Sequence, residues 1–251
     1  MVSRDIVLDA VVIRGHDYGE ADRIITLFSE QQGKVSVFAR GVRKPTSKNR
    51  AACQLFSQGK FALKLGRGLP NLSQAQSENS FAGLWQDLDK IAYASYFAEL
   101  IDRTLPEGRS YQDIYILLLT VLTILELSDE PETVARLFEL RFLAYLGYTP
   151  HLESCIACNR GLSGGQFILV PERGGVLCQS CQNIYQEVLL SVGSIRNMQQ
   201  LLKMDLRKIF NLKINLQSKQ EIDAALENYL KYYLENGSKA RKMLKELLDK
   251  P

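Results

Sequence analysis

The sequence predicts an α+β protein in which a small β-barrel precedes a helical domain that carries a metal-binding insert. Three observations lead to this fold class. Apolar and polar residues alternate through much of the first eighty positions, and from residue 81 apolar residues recur at spacings of three and four. Two Cys-x-x-Cys pairs stand close together in the second half of the chain. We expect a barrel domain at residues 1–80, a helical domain at 81–251 and an insert at 150–182.

The N-terminal region is dense in Val and Ile, and turn sequences such as HDYGEAD and GRGLP divide it into short segments. The predicted strands are Asp5–Arg14, Arg23–Ser29, Val35–Arg40, Leu55–Leu65 and Leu69–Glu78. Five strands with one long connection fit an OB-type barrel that binds nucleic acid. An SH3-like barrel satisfies the same pattern, so the residues alone leave both architectures open.

Helical periodicity dominates the rest of the chain. The predicted helices are residues 84–104, Tyr111–Leu127, Glu132–Leu146, Ile184–Leu190, Ser194–Met204, Gln220–Leu234 and Lys239–Leu248. The apolar run YILLLTVLTIL from Tyr115 is shorter than the roughly 20 residues that a membrane span requires. The N-terminus has Asp5 and Asp9 within its apolar part and does not resemble a signal peptide. We therefore expect a cytoplasmic protein.

A basic loop joins the third and fourth predicted strands. Its cations are Arg40, Arg43, Lys44, Lys48 and Arg50. No Asp or Glu occurs from residue 31 to residue 77, although the net charge of the whole chain is only +3. A local positive field of this kind favours binding to the phosphate backbone of a nucleic acid. Because the loop also contains Gly, Pro, Thr and Ser, we expect it to be extended and mobile.

The basic loop has two interpretations. Charge runs are usually solvated surface, but here the acid-free zone continues into both flanking strands, which favours phosphate binding. Phe38 and Phe61 could stack against exposed bases, or they could belong to the barrel core.

The four paired cysteines predict a structural zinc site. Cys155, Cys158, Cys178 and Cys181 have the spacing C-x2-C-x19-C-x2-C. Four thiolates fill the tetrahedral coordination of Zn²⁺ and leave no position for water or substrate. The intervening QFILVPERGGVL is long enough for a β-hairpin that returns the second pair to the first. Buried thiols, a redox pair or a zinc finger that itself reads nucleic acid are the alternatives, and Cys53 is expected to be a small buried residue.

No catalytic motif is evident in the sequence. It lacks a GxxxxGK[ST] loop, a G-x-S-x-G motif and a Rossmann glycine fingerprint, and neither His16 nor His151 has a metal-ligand spacing. The sequence therefore predicts a binding protein and not an enzyme, although a carboxylate pair of a metal-dependent nuclease remains an alternative.

Several longer motifs resemble one known family. DYGEADRIITLFSEQQGKVSVFARGVRKP at 17–45, GRGLP at 66–70, LIDRTLPEG at 100–108, RLFELRFLAYLGYTP at 136–150 and the paired cysteines closely resemble the bacterial recombination mediator family RecO. The resemblance runs in order from about residue 5 to about residue 185.

The resemblance implies an N-terminal OB-fold, a helical domain and a zinc-binding insert. It implies a protein that binds single- and double-stranded DNA, anneals complementary strands and, with RecR, helps to load RecA onto DNA coated with single-strand-binding protein. Such a protein acts in the bacterial cytoplasm, is nucleoid-associated when it acts on DNA, and needs no nucleotide cofactor. An RNA-binding OB module with a zinc ribbon, acting in translation or transcription, is the alternative.

The resemblance also suggests site residues. The family's DNA-contacting basic positions fall at Lys34 and Arg40, with Arg43 and Lys44 as neighbours. Its helical domain docks the acidic C-terminal tail of the single-strand-binding protein, for which Arg136 is the candidate and Arg141 a second choice. Pairing of Arg136 with Glu139 or Glu132 on the same helix would explain that residue equally well.

Overall fold

The first strand organises the N-terminal half of the chain because it pairs on both of its edges. In the computed structural model, which describes residues 5–182 and 188–234, β1 (Asp5–Tyr18) is antiparallel to both β2 (Asp22–Ser29) and β4 (Gln58–Lys64). The β1–β2 register shifts between Val12 and Arg14. Such a bulge bends a strand, so β1 can follow the wall of the barrel from one neighbour to the other.

Two further strands close the barrel. β3 (Gly33–Ala39) pairs with β2, and β5 (Asn71–Asn79) pairs with β4. A parallel contact between Phe38 and Asn71 joins β3 to β5, which gives a closed barrel in the order β1-β2-β3-β5-β4. The predicted α+β class with a five-stranded OB-type barrel is therefore confirmed.

The barrel core is formed by side chains that alternate along the strands. Its buried members are Leu8, Ala10, Val12, Ile25, Leu27, Val37, Ala39, Val42, Cys53, Phe61 and Leu63. β1 continues four residues beyond its predicted end at Arg14, because His16 and Tyr18 still pair with Ile24 and Asp22. The predicted turn is consequently shorter and lies between β1 and β2.

Two helices complete a compact unit of residues 1–126. α1 (Leu88–Thr104) begins where the Asp87 carboxylate accepts hydrogen bonds from the backbone N–H groups of Asp89 and Lys90. Residues 84–86, predicted to begin this helix, belong instead to a preceding 3₁₀ turn. α2 (Gln112–Leu127) agrees with its prediction to within one residue.

The second compact unit, residues 127–251, combines helices with a small sheet. Its helices α3 (Pro131–Tyr145), α4 (Val192–Lys203) and α5 (Leu216–Tyr233) pack against one another. Its strands β6 (Gln166–Val170), β7 (Gly175–Cys178) and β8 (Leu189–Ser191) form a sheet in the order β7-β6-β8.

Two predicted helices of the C-terminal half need comment. The helix predicted at 184–190 falls mostly outside the described residues, but its last two residues belong to β8, where Leu190 pairs with Phe167. The helical prediction is wrong there because the sheet edge offered by β6 outweighs the local periodicity. The helix predicted at 239–248 lies outside the described residues. No helix in the described ranges is both long and apolar enough to cross a membrane.

Gly33 provides a test of how tightly the barrel is joined to the chain that follows α1. Its φ is +64°, and a Cβ atom built there would lie 1.8 Å from the carbonyl oxygen of Arg109. We expect Gly33→Ala to lower the free energy of unfolding by about 2–5 kcal/mol, because left-handed backbone strain and overpacking act together. Denaturant unfolding followed by circular dichroism measures the change.

Gly19 is the matched control for this substitution. Its φ is +59°, yet a Cβ there would meet nothing within 4 Å. Gly19→Ala should therefore lose only the strain component, about 1–2 kcal/mol. Equal decreases in the two variants would show that the close approach of Arg109 has no energetic role.

Candidate nucleic-acid interface and metal centre

The basic loop, residues 40–57, is a succession of tight turns. Backbone N–H groups donate to carbonyls three residues earlier, from Lys44 to Gly41 at 3.1 Å and from Ser47 to Lys44 at 3.0 Å, and the pattern continues to Ser57. The expectation of an extended loop is wrong, because local backbone hydrogen bonds satisfy the peptide groups that an extended chain would leave to water.

Hydrogen bonds attach the basic loop to the barrel at both ends. The Gly41 N–H donates to the Asp22 carboxylate at 2.6 Å, and the Phe56 N–H donates to the Val12 carbonyl at 2.8 Å. In the middle, the Asn49 side-chain oxygen accepts from the N–H of Ala75 on β5 at 3.0 Å. The side chains of Val42, Ala52, Cys53 and Phe56 are buried, so the loop backbone is anchored along its length.

All five loop cations are exposed, but one of them is paired with an acid and four are not. Arg43 contacts the Asp17 carboxylate at 3.3 Å and donates to the Gly19 carbonyl at 3.1 Å. The exposed side chains of Arg40, Lys44, Lys48 and Arg50 form no ion pair with any acid in the described part of the chain. These four provide a cluster of positive charge that is available to an anionic ligand.

Lys34 has a structural position instead. It is only 7% exposed, and its ammonium group donates to the backbone carbonyl of Asp102 and, at 3.2 Å, to the Asp102 carboxylate. Arg14 contacts the other oxygen of that carboxylate at 3.1 Å. An ammonium group that is enclosed in this way is not available to phosphate, so the geometry does not support the predicted DNA contact at Lys34.

The two phenylalanines predicted as possible stacking residues have different positions. Phe61 is fully buried in the barrel core, which removes it from consideration as a base contact. Phe38 is half-buried, and its ring lies edge-on to Tyr18 with 5.5 Å between the ring centroids. Sequence reasoning missed Tyr18 because the predicted first strand ends at Arg14, and the residues that follow show no alternation of apolar and polar side chains that would extend it.

The four paired cysteines come together at one end of the β6–β7 hairpin. Their sulfur atoms all lie within 4.8 Å of one another, and the Cys158 and Cys178 sulfurs are 3.7 Å apart. Sulfurs bound tetrahedrally to one zinc ion at about 2.3 Å would be separated by about 3.8 Å. The hairpin predicted between the two pairs is present, and it is what returns Cys178 to Cys155, whose sulfur accepts the Cys178 N–H. The arrangement fits a tetrahedral metal ion.

The electrostatics of the cluster point in the same direction. Burial opposes ionisation of Cys155, but hydrogen bonds from the N–H groups of Cys178, Ala157 and Cys158 outweigh it and lower the pKa of Cys155 to about 6. Hydrogen bonds with Cys158 and Cys178 raise the pKa of Cys181 to about 12. The cluster by itself thus favours the thiolate of Cys155 and opposes that of Cys181, and a bound divalent cation would allow both to ionise together.

Cys53 behaves differently from the other four cysteines. It is buried in the barrel core, and burial raises the pKa of its thiol to about 12. A thiol with this pKa is unreactive at neutral pH. Cys53 is a small core residue, as the sequence indicated.

The two arginines predicted on the helical domain both have internal partners. Arg136 is 6% exposed, lies 3.2 Å from the Glu139 carboxylate and also pairs with Asp223. Arg141 donates to the carbonyls of Leu201 and Met204, which lie at the C-terminal end of α4. The intrahelical pairing with Glu139 that the sequence allowed for Arg136 is therefore present, and Arg141 is partly buried against the end of α4.

Comparison with known proteins adds family information to this geometry. Residues 3–81 match the family described as "Recombination protein O N terminal", and residues 85–242 match "Recombination protein O C terminal". The chain is 39% identical over 233 residues to the DNA repair protein RecO of Pelotomaculum thermopropionicum, covering 92% of this chain and 90% of that protein. It is 37% identical over 244 residues to the RecO protein of Symbiobacterium thermophilum, covering 96% of each chain.

A third relative agrees: the RecO protein of Desulfitobacterium hafniense strain Y51 is 36% identical over 245 residues, covering 96% of this chain and 89% of that protein. The matches extend across the barrel, the helices and the cysteine cluster. On this evidence the chain belongs to the RecO family of DNA repair proteins.

Proposed function

We propose that this protein is a non-enzymatic recombination mediator that binds single- and double-stranded DNA through the phosphates and anneals complementary strands. The observation that carries the proposal is a group of four exposed cations on an anchored loop, Arg40, Lys44, Lys48 and Arg50, which pair with no acid among the described residues. Each cation that neutralises a phosphate releases counterions, which provides affinity that does not depend on base sequence.

Strand annealing follows from the same chemistry. Two complementary strands repel each other through their phosphates, and a protein that neutralises phosphates on both lowers this repulsion while leaving base edges free to pair. No nucleotide hydrolysis is needed for such a reaction. We propose further that the protein acts with RecR to help load RecA onto DNA coated with single-strand-binding protein, and that the acidic tail of the latter is a partner. Membership of the RecO family supports these partners.

We propose that the cysteine cluster holds one Zn²⁺ per chain through Cys155, Cys158, Cys178 and Cys181. With four sulfur ligands the ion has no open position, so the chemistry that it supplies is cross-linking of the fold. The thiolates of the two Cys-x-x-Cys turns then fix β6 and β7 relative to the segment before β6. DNA binding by the basic loop does not require the ion in this proposal.

The loop assignment is tested with Lys44→Glu combined with Lys48→Glu. We expect the double variant to bind a labelled single strand at least tenfold more weakly at low salt, because two cations that attract phosphate become anions that repel it. The slope of log K against log salt should also decrease by about 0.7 for each phosphate that is no longer neutralised. Fluorescence anisotropy across a salt series measures both quantities, and the rate of annealing of complementary strands should decrease in parallel.

Lys208→Glu combined with Lys213→Glu is the control for total charge, since both lysines are exposed and lie far from the loop in sequence. This pair should change the affinity much less. Equal decreases in affinity for the two double variants would refute the assignment of DNA binding to the basic loop. An RNA strand of the same sequence that bound more tightly than DNA would favour an RNA-binding role instead.

Lys34 allows a structural role to be separated from phosphate binding. Lys34→Met removes the buried ammonium group and leaves Asp102 paired only with the exposed Arg14, so we expect a decrease of about 1–3 kcal/mol in the free energy of unfolding. The salt slope for DNA binding by the folded protein should be unchanged. A reduced slope with unchanged stability would instead support the interaction with DNA that the family resemblance suggested.

The metal site is tested by Cys178→Ser. We expect zinc content, measured by plasma mass spectrometry, to fall from about one ion per chain to well below one, together with lower thermal stability. Residual DNA affinity should remain in the folded fraction. Cys53→Ala is the matched control, because it removes a buried cysteine that is not part of the cluster; it should retain the zinc.

A further inference from the structure

We propose that Tyr18 and Phe38 form a stacking surface for unpaired nucleobases, beside the cations that hold the phosphates. This inference rests on the proposed function, because it requires that the barrel binds DNA. It adds a preference for single-stranded over double-stranded DNA, because bases can reach such a surface in single strands but not inside a duplex.

Strand register brings the two rings to the outer wall of the barrel. Phe38 on β3 pairs with Ile24 on β2, which in turn pairs with His16 on β1. Directly paired residues point to the same side of a sheet, and so do alternate residues of one strand. His16, Tyr18 and Phe38 therefore share one face, opposite the side on which Ile25 and Val37 fill the core.

Tyr18 is presented to solvent in a way that core packing does not explain. It is 56% exposed, and its phenol makes no hydrogen bond with any described residue. Its ring meets Phe38 at an interplanar angle of 82°, so the two rings do not cover each other face to face. An exposed tyrosine ring that packs against a half-buried phenylalanine is suited to stack with a planar base.

The charges around the aromatic pair favour an anionic strand. Arg40 follows Phe38 by two residues and is exposed without an acid partner among the described residues, whereas the exposed Arg14 on β1 contacts Asp102. Of the nearby acids, Asp17 is paired with Arg23 and Arg43, whereas Asp22 accepts only the Gly41 N–H and Glu107 only the Ser36 hydroxyl, at 2.7 Å. Asp22, Glu107 and Glu20 keep their negative charge, so the attraction for an anionic strand comes from Arg40 and from the loop cations that follow it.

The aromatic pair and the basic loop lie next to each other on the barrel surface. The loop begins at Arg40, and its Arg43 N–H donates to the carbonyl of Ala21 in the turn that follows Tyr18. A strand whose phosphates contact Arg40 and the loop lysines thus passes the aromatic pair, where its bases can turn toward the rings. Stacking of this type tolerates any base, because every base has a π-face.

The experiment compares two single-stranded probes of equal length and charge, oligothymidylate and an abasic strand with the same phosphates. Wild type should bind oligothymidylate more tightly than the abasic strand. Tyr18→Ala should weaken oligothymidylate binding by about five- to 150-fold, as expected for the loss of one stacked base, and leave abasic binding unchanged. Tyr18→Phe, which keeps the ring, should behave as wild type.

Tyr18→Leu is the control for a folding defect, because leucine keeps apolar packing against Phe38 but has no π-face. This variant should bind both probes as Tyr18→Ala does. If Tyr18→Ala lowers binding of both probes equally, or of neither, the stacking surface is refuted while DNA binding by the loop stands. If wild type binds neither probe, the proposed function itself fails, and the inference fails with it.

Discussion

The N-terminal unit depends on one strand that hydrogen-bonds along both edges. β1 pairs with β4 through its first half and with β2 through its second, and the bulge after Val12 lets it turn from one to the other. The peptide groups of Val12 also hold the end of the basic loop, through Phe56 and Ser57. Barrel closure and the position of the loop therefore arise from the same local irregularity in β1.

The cations of this unit fall into two groups, those paired with carboxylates and those left exposed, which amino-acid composition does not distinguish. Lys34, Arg23 and Arg43 are paired with carboxylates and tie strands, turn and α1 together. Arg40, Lys44, Lys48 and Arg50 are left exposed on the loop. The acid-free run from residue 31 to 77 suggested one continuous basic surface, but the acids that neutralise part of it, Asp17 and Asp102, lie outside the run. Only three-dimensional contacts reveal which cations remain for a ligand.

Local patterns were sufficient for much of the fold. Segments rich in Val and Ile, local alternation and the turn sequences between them predicted all five barrel strands, and the cysteine spacing predicted both the cluster and the hairpin inside it. Prediction was wrong where long-range pairing decides the outcome. β1 runs on to Tyr18 because β2 is there to pair with it, and Leu190 is in a strand because β6 offers an edge. The turns of the basic loop were also missed, since the buried side chains that hold them, such as Val42 and Phe56, have no regular spacing.

The anchoring of the basic loop has a consequence for the thermodynamics of DNA binding. A flexible polycationic segment loses conformational entropy when it is immobilised on a ligand, at about 1–2 kcal/mol for each backbone residue that becomes fixed. Here the backbone between Arg40 and Ser57 is already held by its own turns and by buried side chains. In the proposed complex, association would then order only the long side chains of the loop, so little ordering of the protein would oppose the entropy gained from released counterions.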